Sequence, residues 1–352
     1  MSISLWNSIL FRQLRFAMAI GLLLLPALSA TAQYLKTNLT GDFQGEGTFV
    51  DPHLINAWGL AAVRSSITGN FWVADQGTGL ATVYSATGQP LSRVVTIPPA
   101  SGNGPGAPAG LVANTSSSFK ITEGANTAPA QFLFSTLDGT ISGWNPAVDV
   151  THAIIAVKTG AVYSGLAIAL TNQGNFLYAA DAAGNKVDIY DGNFNLVRSF
   201  TDTTLPPGFA PYGIQVIGNT LYVTFAVSFA RHGYAAGGYV DTFDLNGQSQ
   251  KNLLADSNLN QPWGIALAPG NFGPLGGSLF VANLGSGMIA AYNPTTGAFR
   301  GFLEQNSVPI VIDGLWGITF ITSPALTPPS KLYFTSGPGG YVHGVFGVLT
   351  VN

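Results

Sequence analysis

Cysteine is absent from all 352 residues, so this chain has no disulfide framework, no thiol nucleophile and no lipid-modified cysteine. Charge is scarce as well. Only 8% of residues are Asp, Glu, Lys or Arg, against roughly 25% in an ordinary globular domain. The formal net charge of −3 provides no basic field, which argues against nucleic acid and against an anionic membrane surface as partners. Sustained helical periodicity is missing beyond the first 32 residues. The four histidines, His53, His152, His232 and His343, stand one to a region without an HExxH or H-x-H pairing, so a zinc site is not expected. No G-x-S-x-G elbow occurs. The Gly-rich run at 102–110 lacks the strand-to-helix setting of a phosphate loop.

Glycine and proline are plentiful, at 44 and 21 residues, in a chain that is 47% hydrophobic. That combination predicts many short strands joined by tight turns. Residues 1–32 stand apart. Arg12 and Arg15 precede an apolar run at 16–28, and Ala30-Thr31-Ala32 ends it, which is the three-part pattern of a secretory signal peptide. The run is short for a membrane span, so no span is expected after cleavage. The expected product is exported, secreted or periplasmic, with 33–352 as one domain.

A phrase built on glycine recurs through that domain. Its anchor falls at Gly59, Gly110, Gly165, Gly213, Gly264 and Gly317, spaced 48 to 55 residues apart. A second apolar run follows each anchor, as in FWVAD at 71–75 and FLYAAD at 176–181. A third follows, as in KVDIYDGN, and in most repeats a fourth, as in PLSRVVTIP. Four short strands repeated six times predict an all-β fold, a six-bladed β-propeller of four-stranded antiparallel blades. The last repeat ends one strand short, its third being read at 341–351, while YLKTNL at 34–39 is left over in front. That N-terminal run is expected to complete the last blade and cover its edge. The anchor glycines are expected where inner strands crowd the axis.

The strings DPHLINAWGL, FLFSTLDGTISGWNPAV, GNFLYAADAAGNKVDIYDGNFNLV and VIDGLWGITF resemble an uncharacterised family of exported bacterial proteins, some bearing PEP-CTERM sorting tails. The resemblance runs from about Tyr34 to the C-terminus. More distantly, the G-[IL]-A, LYVAD and V-x-x-[YF]-D pattern is similar to NHL and gluconolactonase-like six-bladed propellers. The resemblance implies the fold. It implies no activity, because the nearer family has none established.

Two rings of residues are candidates for chemistry. The residues before the anchors, Trp58, Tyr212, Trp263 and Trp316, with Asn56, Asn260, Gln261 and Asp313 beside them, are expected to surround one mouth of the channel. Aromatics beside amides suit a carbohydrate or a peptide. The competing reading, that these rings are wedges sealing blade against blade, is the one the recurrence of Trp in three blades favours. The second ring ends the second strands: Asp75, Thr136, Asp181, Phe225, Asn283 and Ser336. Such residues commonly hold turns. As the alternative, Asp75, Asp181 and Asn283 would be calcium ligands. The gluconolactonase-like enzymes place a Glu on their metal, and here Glu46, Glu123 and Glu304 fall in loops or outer strands. No catalytic residue is assigned. The leading expectation is a monomeric, non-enzymatic binding module for a carbohydrate, peptide or protein. A calcium-dependent lactonase-like hydrolase and a structural cell-surface component are the alternatives.

Overall fold

The computed structural model describes residues 33–63, 70–227, 237–248, 251–321 and 331–351. The expected signal peptide and His232 lie outside the described residues. Six antiparallel four-stranded blades form the fold; the first five are laid down in sequence order from the inside outward, and the sixth takes its outer strand from the N-terminus, with the two-residue strand Phe49–Val50 paired in parallel beyond it. Their innermost strands are Ala57–Val63, Pro108–Ala113, Tyr163–Thr171, Phe209–Ile217, Pro262–Leu267 and Leu315–Phe320. Each packs on the next and the sixth packs on the first, so the ring closes. This is the six-bladed β-propeller that the repeats predict.

Closure comes from the N-terminus. Tyr34–Gly41 lies antiparallel to Val345–Val351 and forms the missing outer strand of blade 6, with Tyr34 opposite Val351 and Gly41 opposite Val345. Apolar packing is divided among the gaps between blades. Six buried clusters occupy the six gaps, for example Phe132, Phe134 and Trp144 against Trp72 between blades 1 and 2. A seventh lies on the axis. Strand alternation explains the gaps, because successive side chains point to opposite faces and each face meets a different neighbour. In two blades the lead-in loop is fastened to the third strand by a tyrosine hydroxyl. Tyr84 donates its hydroxyl to Asp51 at 3.0 Å in blade 1, and Tyr292 donates to Asp256 at 2.9 Å in blade 5.

Three details differ from the sequence reading. The third strand of blade 6 spans Val345–Val351 and does not begin at Tyr341. Gly339, Gly340 and Tyr341 take φ of 68°, 73° and 73°, a left-handed turn that no strand accommodates. Blade 2, which has the longest repeat, carries an extra ribbon of Lys120–Glu123 paired with Asn126–Pro129. A second ribbon, Glu304–Gln305 with Val308–Pro309, joins blades 5 and 6.

Candidate functional site

Each anchor glycine lies at a break in register. In five blades the pairing of inner with second strand skips the anchor and resumes beyond it: Pro262 pairs with Asn283, and the next pair is Ile265 with Val281. In blade 3 the break falls one residue earlier, at Ser164, and Gly165 pairs with Ala180. A bulge of this kind re-aims the residue it contains. The glycine itself is required by contact. A Cβ on Gly59, Gly165, Gly213, Gly264 or Gly317 would come within 3.0 Å of a main-chain carbonyl oxygen of the next blade, and one on Gly110 would strike the Leu166 nitrogen. In alternate blades a hydroxyl holds the anchor. The amides of Gly110, Gly213 and Gly317 donate to Ser135, Thr224 and Thr335 at 3.2, 2.8 and 3.0 Å.

The bulge turns the preceding side chain to the axis, where Trp58, Tyr212, Trp263 and Trp316 meet. Trp58 and Trp316 stack with centroids 3.6 Å apart. Tyr212 and Trp263 stand edge-on to that pair at 6.0 to 6.4 Å. Blades 2 and 3 supply Ala109 and Ser164 at the same position, so four rings fit where six would not. All four are buried, from 1% exposed at Trp316 to 9% at Trp263. Their bonds turn inward: the Trp316 indole donates to Asn56 Oδ1 and the Trp263 indole to the Ser164 carbonyl, both at 3.0 Å. The rings form a plug whose faces cover one another, in place of an open mouth or of wedges between blades.

The amides expected beside the rings divide by role. Asn56 joins the plug and donates to Gln76 at 2.7 Å, and both Asn56 and Gln261 hold left-handed φ, of 48° and 53°. Gln261 is buried, and its Oε1 has no hydrogen-bond partner. The main chain of Asn260 receives Gly285 N and donates to the Asn283 side chain. Asp313 is not brought to the rings; it is exposed and accepts from Gly339 N at 2.9 Å. Asp75, Asp181 and Asn283 sit in blades 1, 3 and 5, each bonded to nearby groups of its own blade. Asp181 accepts from Val162 N and Gly184 N, Asn283 from Asn260 N, and Asp75 from the Thr82 hydroxyl at 2.8 Å. Burial holds the Asp75 carboxyl well above its usual range, and its Oδ1 is unpartnered. Among the described residues no group of three or more His, Cys, Asp or Glu is arranged to hold a metal ion.

Below the plug the channel narrows at the glycine ring to about 40 Å³, room for one or two waters. It then opens at the other mouth into a funnel of about 460 Å³. Its walls are the far ends of the inner strands, including Leu60, Val112, Ile168, Leu267 and Phe320, with Gln215 and Thr319 as the polar side chains. Leu267 is 42% exposed at this mouth. A channel plugged at one end and open at the other is a blind pocket, and its volume falls in the range that seats a ligand group. Sequence reasoning missed the funnel. The available signal was that each inner strand runs three or more residues past its anchor with apolar side chains, and so must line something.

These features define the class of protein, a six-bladed propeller with an axial aromatic plug. No model of a known protein family matches the chain. The chain is 32% identical over 333 residues to uncharacterised protein R648 of Acanthamoeba polyphaga mimivirus, spanning 90% of this chain and 79% of that one. It is 31% identical to uncharacterised protein L690 of the same virus, spanning 85% and 81%. The chain belongs to the family that these proteins represent. The assignment to a bacterial PEP-CTERM-associated family is thereby corrected. The strings that suggested it are blade grammar, anchors, bulges and turn residues that such a ring requires, and they do not separate lineages. Among solved structures, a catalytically inactive virginiamycin B lyase from Staphylococcus aureus with quinupristin superposes with a TM-score of 0.52 at 12% identity, spanning 91% of this chain and all of that one. The selenomethionine-substituted lyase gives the same score at 13% identity. At such identity the likeness is of fold alone.

Proposed function

We propose that this protein is a non-enzymatic binding module that seats apolar side chains of a peptide or protein partner in the funnel. The observation that carries the reading is the blind, apolar pocket at the open end of a rigid ring. Its described lining includes no ionisable side chain, so it offers burial in place of acid–base chemistry. Aliphatic walls with two polar side chains favour an apolar group over a sugar there, since a sugar needs many hydrogen bonds. In this reading the chain is exported, and the apolar run at 16–28 serves as the export signal.

A selection of displayed random peptides against the purified protein tests the proposal. Enriched sequences are expected to share one or two large apolar residues. Binding is expected to fall at least tenfold in Leu267→Glu, which places a charge at the mouth, and to be retained in Leu196→Glu on an outer strand. Enrichment of charged or featureless peptides, or equal binding by Leu267→Glu, would overturn it. N-terminal sequencing of protein from the periplasm or medium of a bacterial host checks the export reading, with cleavage before Gln33 expected.

A further inference from the structure

We infer that a cleft between blades 3 and 4, separate from the funnel, is a subsite for a neutral carbohydrate. The cleft has a volume of about 530 Å³, and its lining includes Asn172, Gln173, Asn219 and Asn246 around Phe176 and Leu170. Four side-chain carboxamides thus line one concavity. Each carries two donors and an acceptor, the set that pairs with sugar hydroxyls, which donate and accept together. All four residues are exposed, and among the described residues no hydrogen bond engages their side-chain carboxamides, which leaves these groups to a ligand. Phe176 and Leu170 add an aromatic ring and an aliphatic patch, the second requirement for holding a pyranose face. No ionisable side chain is among the lining residues, which favours neutral sugars over uronic or sialic acids.

The cleft is also held in shape, which lowers the ordering cost of binding. Asn172 and Gln173 are the tip of a two-residue hairpin between Thr171 and Gly174, closed by the Thr171 hydroxyl on the Gly174 carbonyl at 2.7 Å. Asn219 follows Gly218, at φ 61°, in a second two-residue hairpin between Ile217 and Thr220. The turn carrying Asn246 is fixed from three sides. Asp244 accepts from Asn246 N and Gln248 N at 2.8 Å, Arg198 donates to the Asn246 carbonyl at 2.9 Å, and Tyr178 donates to the Leu245 carbonyl at 2.8 Å. At the surface, a Cβ on Gly174 would meet the Phe176 ring at 3.1 Å, so glycine there leaves the ring edge uncovered. Three pinned turns presenting amides over one ring make a preformed site.

The test is a neutral-glycan array probed with the purified protein, followed by calorimetry on the strongest binder. The double variant Asn219→Ala/Asn246→Ala is expected to weaken binding at least tenfold with its melting temperature unchanged. Gln173→Ala, at an exposed tip, provides a second variant if the double one loses stability, and is expected to weaken binding about threefold or more. Leu267→Glu in the funnel is expected to bind the glycan as the parent does. The inference is overturned if no neutral glycan binds, if the folded amide variants bind normally, or if Leu267→Glu abolishes binding. Because Leu267→Glu is the disabling variant for the peptide reading and the control here, the two proposals fail separately.

Discussion

Trp316 stacks on Trp58, donates to Asn56 and is 1% exposed. Trp316→Ala therefore empties the axis and strands a buried amide oxygen. The expected loss is about 3–5 kcal/mol, read from the urea midpoint. A variant of unchanged midpoint would show that the rings do not form a packed plug. A different argument applies to Asp241, which is fully buried beside Asp202. Burial first, then a hydrogen bond and like charge from Asp202, raise its carboxyl pKa to about 9. Asp241 therefore keeps its proton in the folded state well above the pH at which a free carboxyl loses it. An unfolded Asp loses that proton near pH 4. Between about pH 4 and 9 the folded state thus holds a proton that the unfolded state has lost, and stability falls as pH rises through that window. Asp241→Asn keeps the shape and removes this titration. Its Tm relative to the parent is expected to be roughly 7 °C more favourable at pH 8.5 than at pH 5. A Tm difference independent of pH would exclude the retained proton on Asp241.

At the level of the strand, the unit that builds the ring is the bulge at each anchor. A Cβ on Gly264 would lie 2.5 Å from the Trp316 carbonyl oxygen and 3.1 Å from the Ile318 nitrogen, both main-chain atoms of the next blade. Gly264→Ala is expected to cost about 1–3 kcal/mol or more by denaturant titration, because backbone cannot step aside. Gly270→Ala, where nothing lies within 4 Å, is expected to be near neutral. The anchors were legible because a repeated glycine needs a repeated reason, and crowding at an axis supplies one. The second and third strands were legible from alternation and turn residues. The plug was not. Trp58, Tyr212, Trp263 and Trp316 stand at equivalent positions, and the string alone does not say whether equivalent side chains ring a mouth or meet at its centre. That depends on the direction the bulge gives them and on the small Ala109 and Ser164 opposite. The left-handed turn at Gly339–Tyr341 was missed for a simpler reason: an apolar run followed it, and periodicity pulled the strand boundary too far forward. The funnel was hidden because its walls are ordinary strand residues, made into a pocket only by the ring they share.

Ring closure sets the behaviour of the whole molecule. Every inter-blade core is shared by two sheets, so opening one seam exposes two apolar faces at once, and the seam between first and last blades is held by the N-terminal strand. Tyr34 reaches blade 5, donating to the Phe272 carbonyl at 3.1 Å and accepting from Leu275 N at 3.0 Å. At the strand's other end Thr40 donates to the Gly88 carbonyl of blade 1 at 2.5 Å. One strand thus ties three consecutive blades. Without it, Val345–Val351, reading VFGVLTV with no charge and no proline, would become a free edge of high strand propensity. A chain beginning at Asp42 is therefore expected to pass into large assemblies on size-exclusion chromatography and to bind thioflavin T. Added in excess during refolding, a peptide of residues 33–41 is expected to restore the monomer peak, because it supplies the same antiparallel register from Tyr34 opposite Val351 to Gly41 opposite Val345. The same peptide with Thr37 replaced by Pro, which removes a main-chain donor in mid-strand, is expected to rescue far less. A shortened chain that stays soluble and melts at the parent temperature would show that the ring closes by side-chain packing between blades 6 and 1, with the strand as an ornament to it.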